Sequence, residues 1–143
     1  MKTCSYTCVE LTPDGRTTFA VGTDKTLKEI SDSQIVKDVH TESKTAPEAV
    51  LTQLALSFSG RMFFAATSRG AIRAIRLPLT DPWEGTVHPA HCGSVSKMRV
   101  ALDDQHLFSV GDDGCVIVYK ISDKVRGRRG VGRGRGGGCG RRV

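Results

Sequence analysis

Between Cys8 and Tyr119 the apolar residues fall into short runs separated by turn-forming clusters, with no stretch showing the 3.6-residue period of an amphipathic helix. TTFAVG (Thr17 to Gly22), MFFAAT (Met62 to Thr67) and HLFSVG (His106 to Gly111) have strand length and are rich in aromatic and small residues. Each follows a shorter apolar run, at Cys8 to Leu11, Leu54 to Ser57 and Met98 to Ala101. Each precedes an alternating run, at Thr26 to Ile30, Ala71 to Ile75 and Cys115 to Tyr119. The connections, such as Pro13-Asp14-Gly15 and Asp112-Asp113-Gly114, use residues that tolerate a left-handed backbone or bond their own main chain. The pattern predicts three antiparallel meanders. A weaker fourth strand is expected at Ile35 to Val39 in the first and near Gly85 to His88 in the second, with none in the third.

The meanders are copies of one unit. Phe19, Phe64 and Phe108 stand 45 and 44 residues apart, and the same offsets align Asp24 with Arg69 and Asp113, Leu27 with Ile72 and Val116, and Ile30 with Ile75 and Tyr119. Agreement at several positions marks a repeat, and each repeat must bury its faces against its neighbours.

A unit of about 44 residues with three or four short strands resembles the blade of a WD-repeat β-propeller. The third unit carries the likeness best: Ala90-His91 resembles the Gly-His dipeptide, Val95 follows at the expected distance, Ser109 lies in the second strand, Asp113 in the tight turn, and Tyr119-Lys120 stands where Trp-Asp is usual. The resemblance implies an all-β chain of about three blades, near 5–40, 50–88 and 91–122. It also implies a hydrogen-bond staple of His91, Ser109, Asp113 and Tyr119, while Ile30 and Ile75 depart from the aromatic position. DGRTTFAVGTDKTLKEISDS, SGRMFFAATSRGAIRAIRLPL and DDQHLFSVGDDGCVIVYKISDK further resemble the propeller region of the cilia- and flagella-associated WD-repeat proteins, over about Met1 to Lys124. That resemblance implies a non-catalytic protein–protein interaction scaffold of the motile-cilium axoneme, serving inner dynein arm assembly and cilium movement, with axonemal or inner dynein arm proteins as partners. Members of the family pair propellers with long coiled coils. This chain has neither the coiled coil nor further blades and is expected to be a fragment or truncated product. A propeller ring takes about four to eight blades, so both ends are expected to seek the remaining blades or to self-associate.

Charge changes the picture at one end only. Residues 125–143 hold seven arginines, eight glycines and no acid, so the net +6 of the chain becomes −1 over Met1 to Lys124. Such a segment cannot offset its ordering entropy and is expected to be a disordered tail beyond a boundary near Lys124. Its arginines, Arg126, Arg128, Arg129, Arg133, Arg135, Arg141 and Arg142, could neutralise phosphates, so RNA binding through the tail is the alternative function; no Phe or Tyr is interleaved to stack on bases. No signal peptide or membrane-spanning run is visible, and Cys4, Cys8, Cys92, Cys115 and Cys139 are odd in number and scattered. A cytoplasmic chain with free thiols and no membrane partner is therefore expected.

Candidate chemistry is sparse. His91, Ser109 and Asp113 match the residue types of a hydrolase triad, but Ser109 falls mid-strand with no nucleophile elbow, which favours the staple. His88, His91 and Cys92 would need a fourth ligand to hold zinc, and no paired element supplies one. Asp103-Asp104 and Asp112-Asp113 read as turn residues rather than metal or acid–base pairs. No cofactor, metal or catalytic residue is expected. The long connections Val39 to Val50 and Thr80 to His91 are candidate contact loops, with Trp83 as the anchor, or else as packing in an inter-blade groove.

Overall fold

The computed structural model describes residues 4–40, 50–80 and 85–122. They form eleven strands and no helix: β1 (Tyr6–Leu11), β2 (Thr17–Gly22), β3 (Thr26–Ser31), β4 (Gln34–His40), β5 (Leu51–Leu56), β6 (Met62–Thr67), β7 (Ala71–Arg76), β8 (Gly85–Pro89), β9 (Val95–Val100), β10 (His106–Gly111) and β11 (Val116–Lys120). Three antiparallel meanders result, β1-β2-β3-β4, β5-β6-β7-β8 and the three-stranded β9-β10-β11. The first strands of the three sheets lie side by side, β1 on β5 and β5 on β9, so the blades fan out from a shared inner edge.

The middle strands coincide with the expected ones, but the inner strands begin earlier than the apolar pattern indicates, at Tyr6, Leu51 and Val95. A register shift between Tyr6 and Cys8, and another between Leu51 and Gln53, explains the difference. A bulge inserts one residue and breaks the alternation by which a strand is recognised. The extra residue has a use. Thr7 Oγ1 donates to Leu51 O at 3.0 Å, and its repeat partner Thr52 donates to Val95 O at 3.0 Å, so the same hydroxyl stitches each blade to the next.

Two apolar clusters fill the spaces between blades. Phe19, Val21 and Leu27 of the first blade meet Leu51, Leu54, Phe63 and Ala65 of the second, with the Phe19 and Phe63 rings 5.2 Å apart and tilted by 51°. Phe64, Ala66 and Ile72, on the other side of the second blade, meet Val95, Met98, Leu107 and Tyr119 of the third. The middle blade is thus covered on both sides and β6 is buried almost throughout, while β10 alternates buried and exposed residues.

The turns repeat as well. Gly15, Gly60 and Asp104 hold equivalent places with φ of 71°, 68° and 54°, so the third blade puts an aspartate where the others use glycine. Asp104 offsets that strained backbone by accepting the amides of Phe58 and Ser59, at 2.5 and 2.7 Å, from the neighbouring blade. Burial raises the Asp104 carboxyl pKa, but the amide bonds outweigh it and hold the group below the ordinary range.

Candidate functional site

His91 is placed by the turn between β6 and β7. Its amide donates to Gly70 O at 2.9 Å, and a side chain at Gly70 would collide with the carbonyls of His91 and Gly93, so only glycine lets the connection lie this close. On the other side the imidazole lies against Gly111, where an added Cβ would sit 2.5 Å from Nδ1. The ring is fixed between two glycine backbones.

From there it reaches two partners. Nδ1 lies 2.9 Å and 3.1 Å from the Asp113 carboxylate oxygens, and Nε2 lies 2.8 Å from Ser109 Oγ. A carboxylate can only accept, so in the neutral ring Nδ1–H donates to Asp113 and Nε2 accepts from the serine hydroxyl. Asp113 also accepts the amides of Cys115 at 3.0 Å and Cys92 at 3.1 Å. These bonds, the Cys115 amide foremost, keep its carboxyl below the usual range.

The structure therefore brings His91, Ser109 and Asp113 together in triad-like order. Ser109 is wholly buried, at 0% exposure, and a nucleophile must reach its substrate. Tyr119 is buried beside Leu107 and Met98 in the core between the second and third blades. Trp83 and the seven tail arginines lie outside the described residues, as does the expected boundary near Lys124. His88 is half-buried on β8, where burial pushes its imidazole pKa down, and among the described residues no three His, Cys, Asp or Glu side chains converge as a metal site would require. Among the described residues no helix is long and apolar enough to cross a membrane, and Cys4, Cys8, Cys92 and Cys115 are free thiols.

The first blade holds a network that sequence reading missed. Asp24, the repeat partner of Asp113, forms an ion pair with Lys28, whose ammonium also reaches Thr26 Oγ1 at 2.7 Å and the Tyr6 ring at 5.4 Å from its centroid. Cys4 Sγ abuts Gly22 in the place that the His91 ring takes against Gly111. The available signal was the charge at Lys28, a strand position where the third blade has Ile117. Burial pushes the Asp24 carboxyl up, but hydrogen bonds from Lys28, Cys4 and Thr26 prevail and lower its pKa to about 2. With an ordinary value of 3.8 in the unfolded chain, its stabilisation is complete above that value and vanishes as pH falls toward 2. Thermal melts between roughly pH 5 and pH 2 are therefore expected to cost the parent about 1 to 2 kcal/mol more than they cost Lys28→Met. Equal acid sensitivity would remove the pair as the cause.

One end of the molecule presents an apolar rim. Pro13, Phe58 and Leu102 occupy equivalent places in the three inner turns and border a cleft of about 250 Å³ with Leu56 and Val100. Phe58 is 63% exposed and Leu102 84%, and Glu10 pairs with Arg99 across the inner strands at 3.4 Å.

A family model described as WD domain, G-beta repeat, matches residues 84–120. Over 124 residues the chain is 45% identical to mouse cilia- and flagella-associated protein 57, a match covering 87% of this chain and 10% of that protein. Over 106 residues it is 33% identical to cilia- and flagella-associated protein 57 A of Tetrahymena thermophila, covering 71% of this chain and 8% of the relative. The chain thus spans about a tenth of the length of the curated relatives it matches. Among solved structures it resembles the RRP9 WD40 repeats, with a TM-score of 0.72 and 18% identity over 84% of this chain and 36% of that one, which speaks for the fold alone.

Proposed function

Because the chain belongs to the WD-repeat family of β-propeller proteins, we propose that its blades are a non-catalytic protein-interaction scaffold of the motile-cilium axoneme, a reading supported by its likeness to cilia- and flagella-associated proteins. Within that reading the partners are axonemal, inner dynein arm components among them. Residues 1–124 act as the propeller segment and 125–143 as a separate basic tail. His91, Ser109 and Asp113 serve as a staple that holds the third blade's turn to its strands. The observation carrying the reading is that Ser109, the hydroxyl of the triad-like cluster, is fully buried, while the exposed apolar side chains Phe58 and Leu102 sit on turns at the molecule's end. A rigid sheet stack that displays such turns is suited to binding other proteins, with Trp83 as a second contact.

The tagged chain, expressed in cells with motile cilia, is expected to stay with the axoneme after detergent extraction. Phe58→Asp combined with Leu102→Asp should reduce retention several-fold without shifting the melting temperature. Complete extraction of the parent chain would overturn the scaffold reading, and release by ribonuclease would support RNA binding through the tail arginines instead.

A further inference from the structure

We infer that this chain pairs with a second copy of itself through the outer edge of β11, the two edges running antiparallel about a two-fold axis at Val118. The first two blades carry a fourth strand outside the third, whereas β11 is the outermost strand of its sheet among the described residues. The direction of its backbone groups follows from the ladder. Gly111 N donates to Cys115 O at 3.2 Å and Ile121 N donates to Gln105 O at 2.8 Å, while Ile117 stands opposite Ser109 and Tyr119 opposite Leu107. The odd-numbered residues thus bond inward to β10, and the alternation of an antiparallel ladder turns the N–H and C=O of Val116, Val118 and Lys120 outward.

This edge is self-complementary. Its outward groups are centred on Val118, so a second copy sets Val118 opposite Val118 and Val116 opposite Lys120, three pairs exchanging about six backbone hydrogen bonds. Side chains agree with the register. Val116 and Val118 are 67% and 47% exposed, and Phe108 and Val110 lie beside them on the same face, so two apolar patches become one across a six-stranded sheet. Lys120, the strand's only charge, comes beside the other copy's Asp112-Asp113 turn, which supplies the opposite charge at each end. A strand of sequence VIVYK has no charge, proline or bulge at its centre to discourage pairing. This inference does not depend on the ciliary reading.

The test is light scattering on the full chain over a concentration series, together with two variants. Val118→Pro removes an N–H that serves no bond within the blade, so it should weaken the dimer at least about tenfold and leave far-ultraviolet circular dichroism unchanged. Val118→Cys, with Cys92, Cys115 and Cys139 changed to serine, should oxidise to a disulfide-linked dimer, since hydrogen-bonded antiparallel partners have Cα atoms about 5.5 Å apart. A monomer at every concentration overturns the inference, as does a dimer that Val118→Pro leaves intact. Association without the Val118→Cys cross-link would mean blade-face stacking and also overturns it. Should Val118→Pro unfold the chain, the cross-link decides.

Discussion

Phe64→Ala is expected to destabilise the chain by about 3 to 5 kcal/mol, whereas Phe108→Ala is expected to cost less than about 1 kcal/mol. The two phenylalanines occupy the same place in successive repeats and differ only in what covers them. Phe64 is fully buried between the second and third blades against Met98, Leu107 and Tyr119, while Phe108 lies on the uncovered side of the third blade at 42% exposure. Truncating the first leaves a cavity that packed strands cannot close; truncating the second mostly exchanges ring for water. Urea unfolding of both variants at low protein concentration measures the contrast. Equal losses would show that the Phe108 side is covered in solution.

Ser109→Ala should cost about 1 to 3 kcal/mol, even though alanine stands at the equivalent places Ala20 and Ala65 of the other blades. The substitution removes no packed carbon; it leaves His91 Nε2 buried without the hydroxyl now 2.8 Å away. His91→Ala should cost at least as much, because it opens space beside Gly111 and also takes away the imidazole N–H that Asp113 accepts. Combined, the two changes should be clearly less damaging than the sum of the single ones, since either alone breaks the same bond. A melting temperature for Ser109→Ala within about 1 °C of the parent would be incompatible with a staple, because each kcal/mol is worth at least roughly 2 to 4 °C in a chain of this size. A strictly additive double variant would separate the two side chains energetically.

Much of the fold was legible because repetition is a local property of sequence. The spacing of Phe19, Phe64 and Phe108 and the turn residues after each determined three meanders and the pairing of Asp24 with Asp113 as equivalent positions. His91, Ser109 and Asp113 could be named because each sits at its own place in that unit; their distances could not, since His91 reaches Ser109 only after β9 and β10 have folded back. The inner strands were under-read because the bulges near Tyr6 and Leu51 spoil the two-residue alternation. Lys28 was overlooked because a lysine on a strand reads as a solvated residue until Asp24, Thr26 and Tyr6 are seen to surround it.

The order of residues within each repeat specifies its strands, its turns, and the residue types on either side of each sheet. The tertiary structure alone decided which side is covered, which hydroxyl joins blade to blade, and that Asp104 clasps the turn at Phe58 and Ser59. The physical reason is that secondary structure follows from period and turn chemistry along the chain, whereas burial depends on what a neighbouring blade places against a residue. Phe64 and Phe108 are chemically identical and differ only in that neighbour.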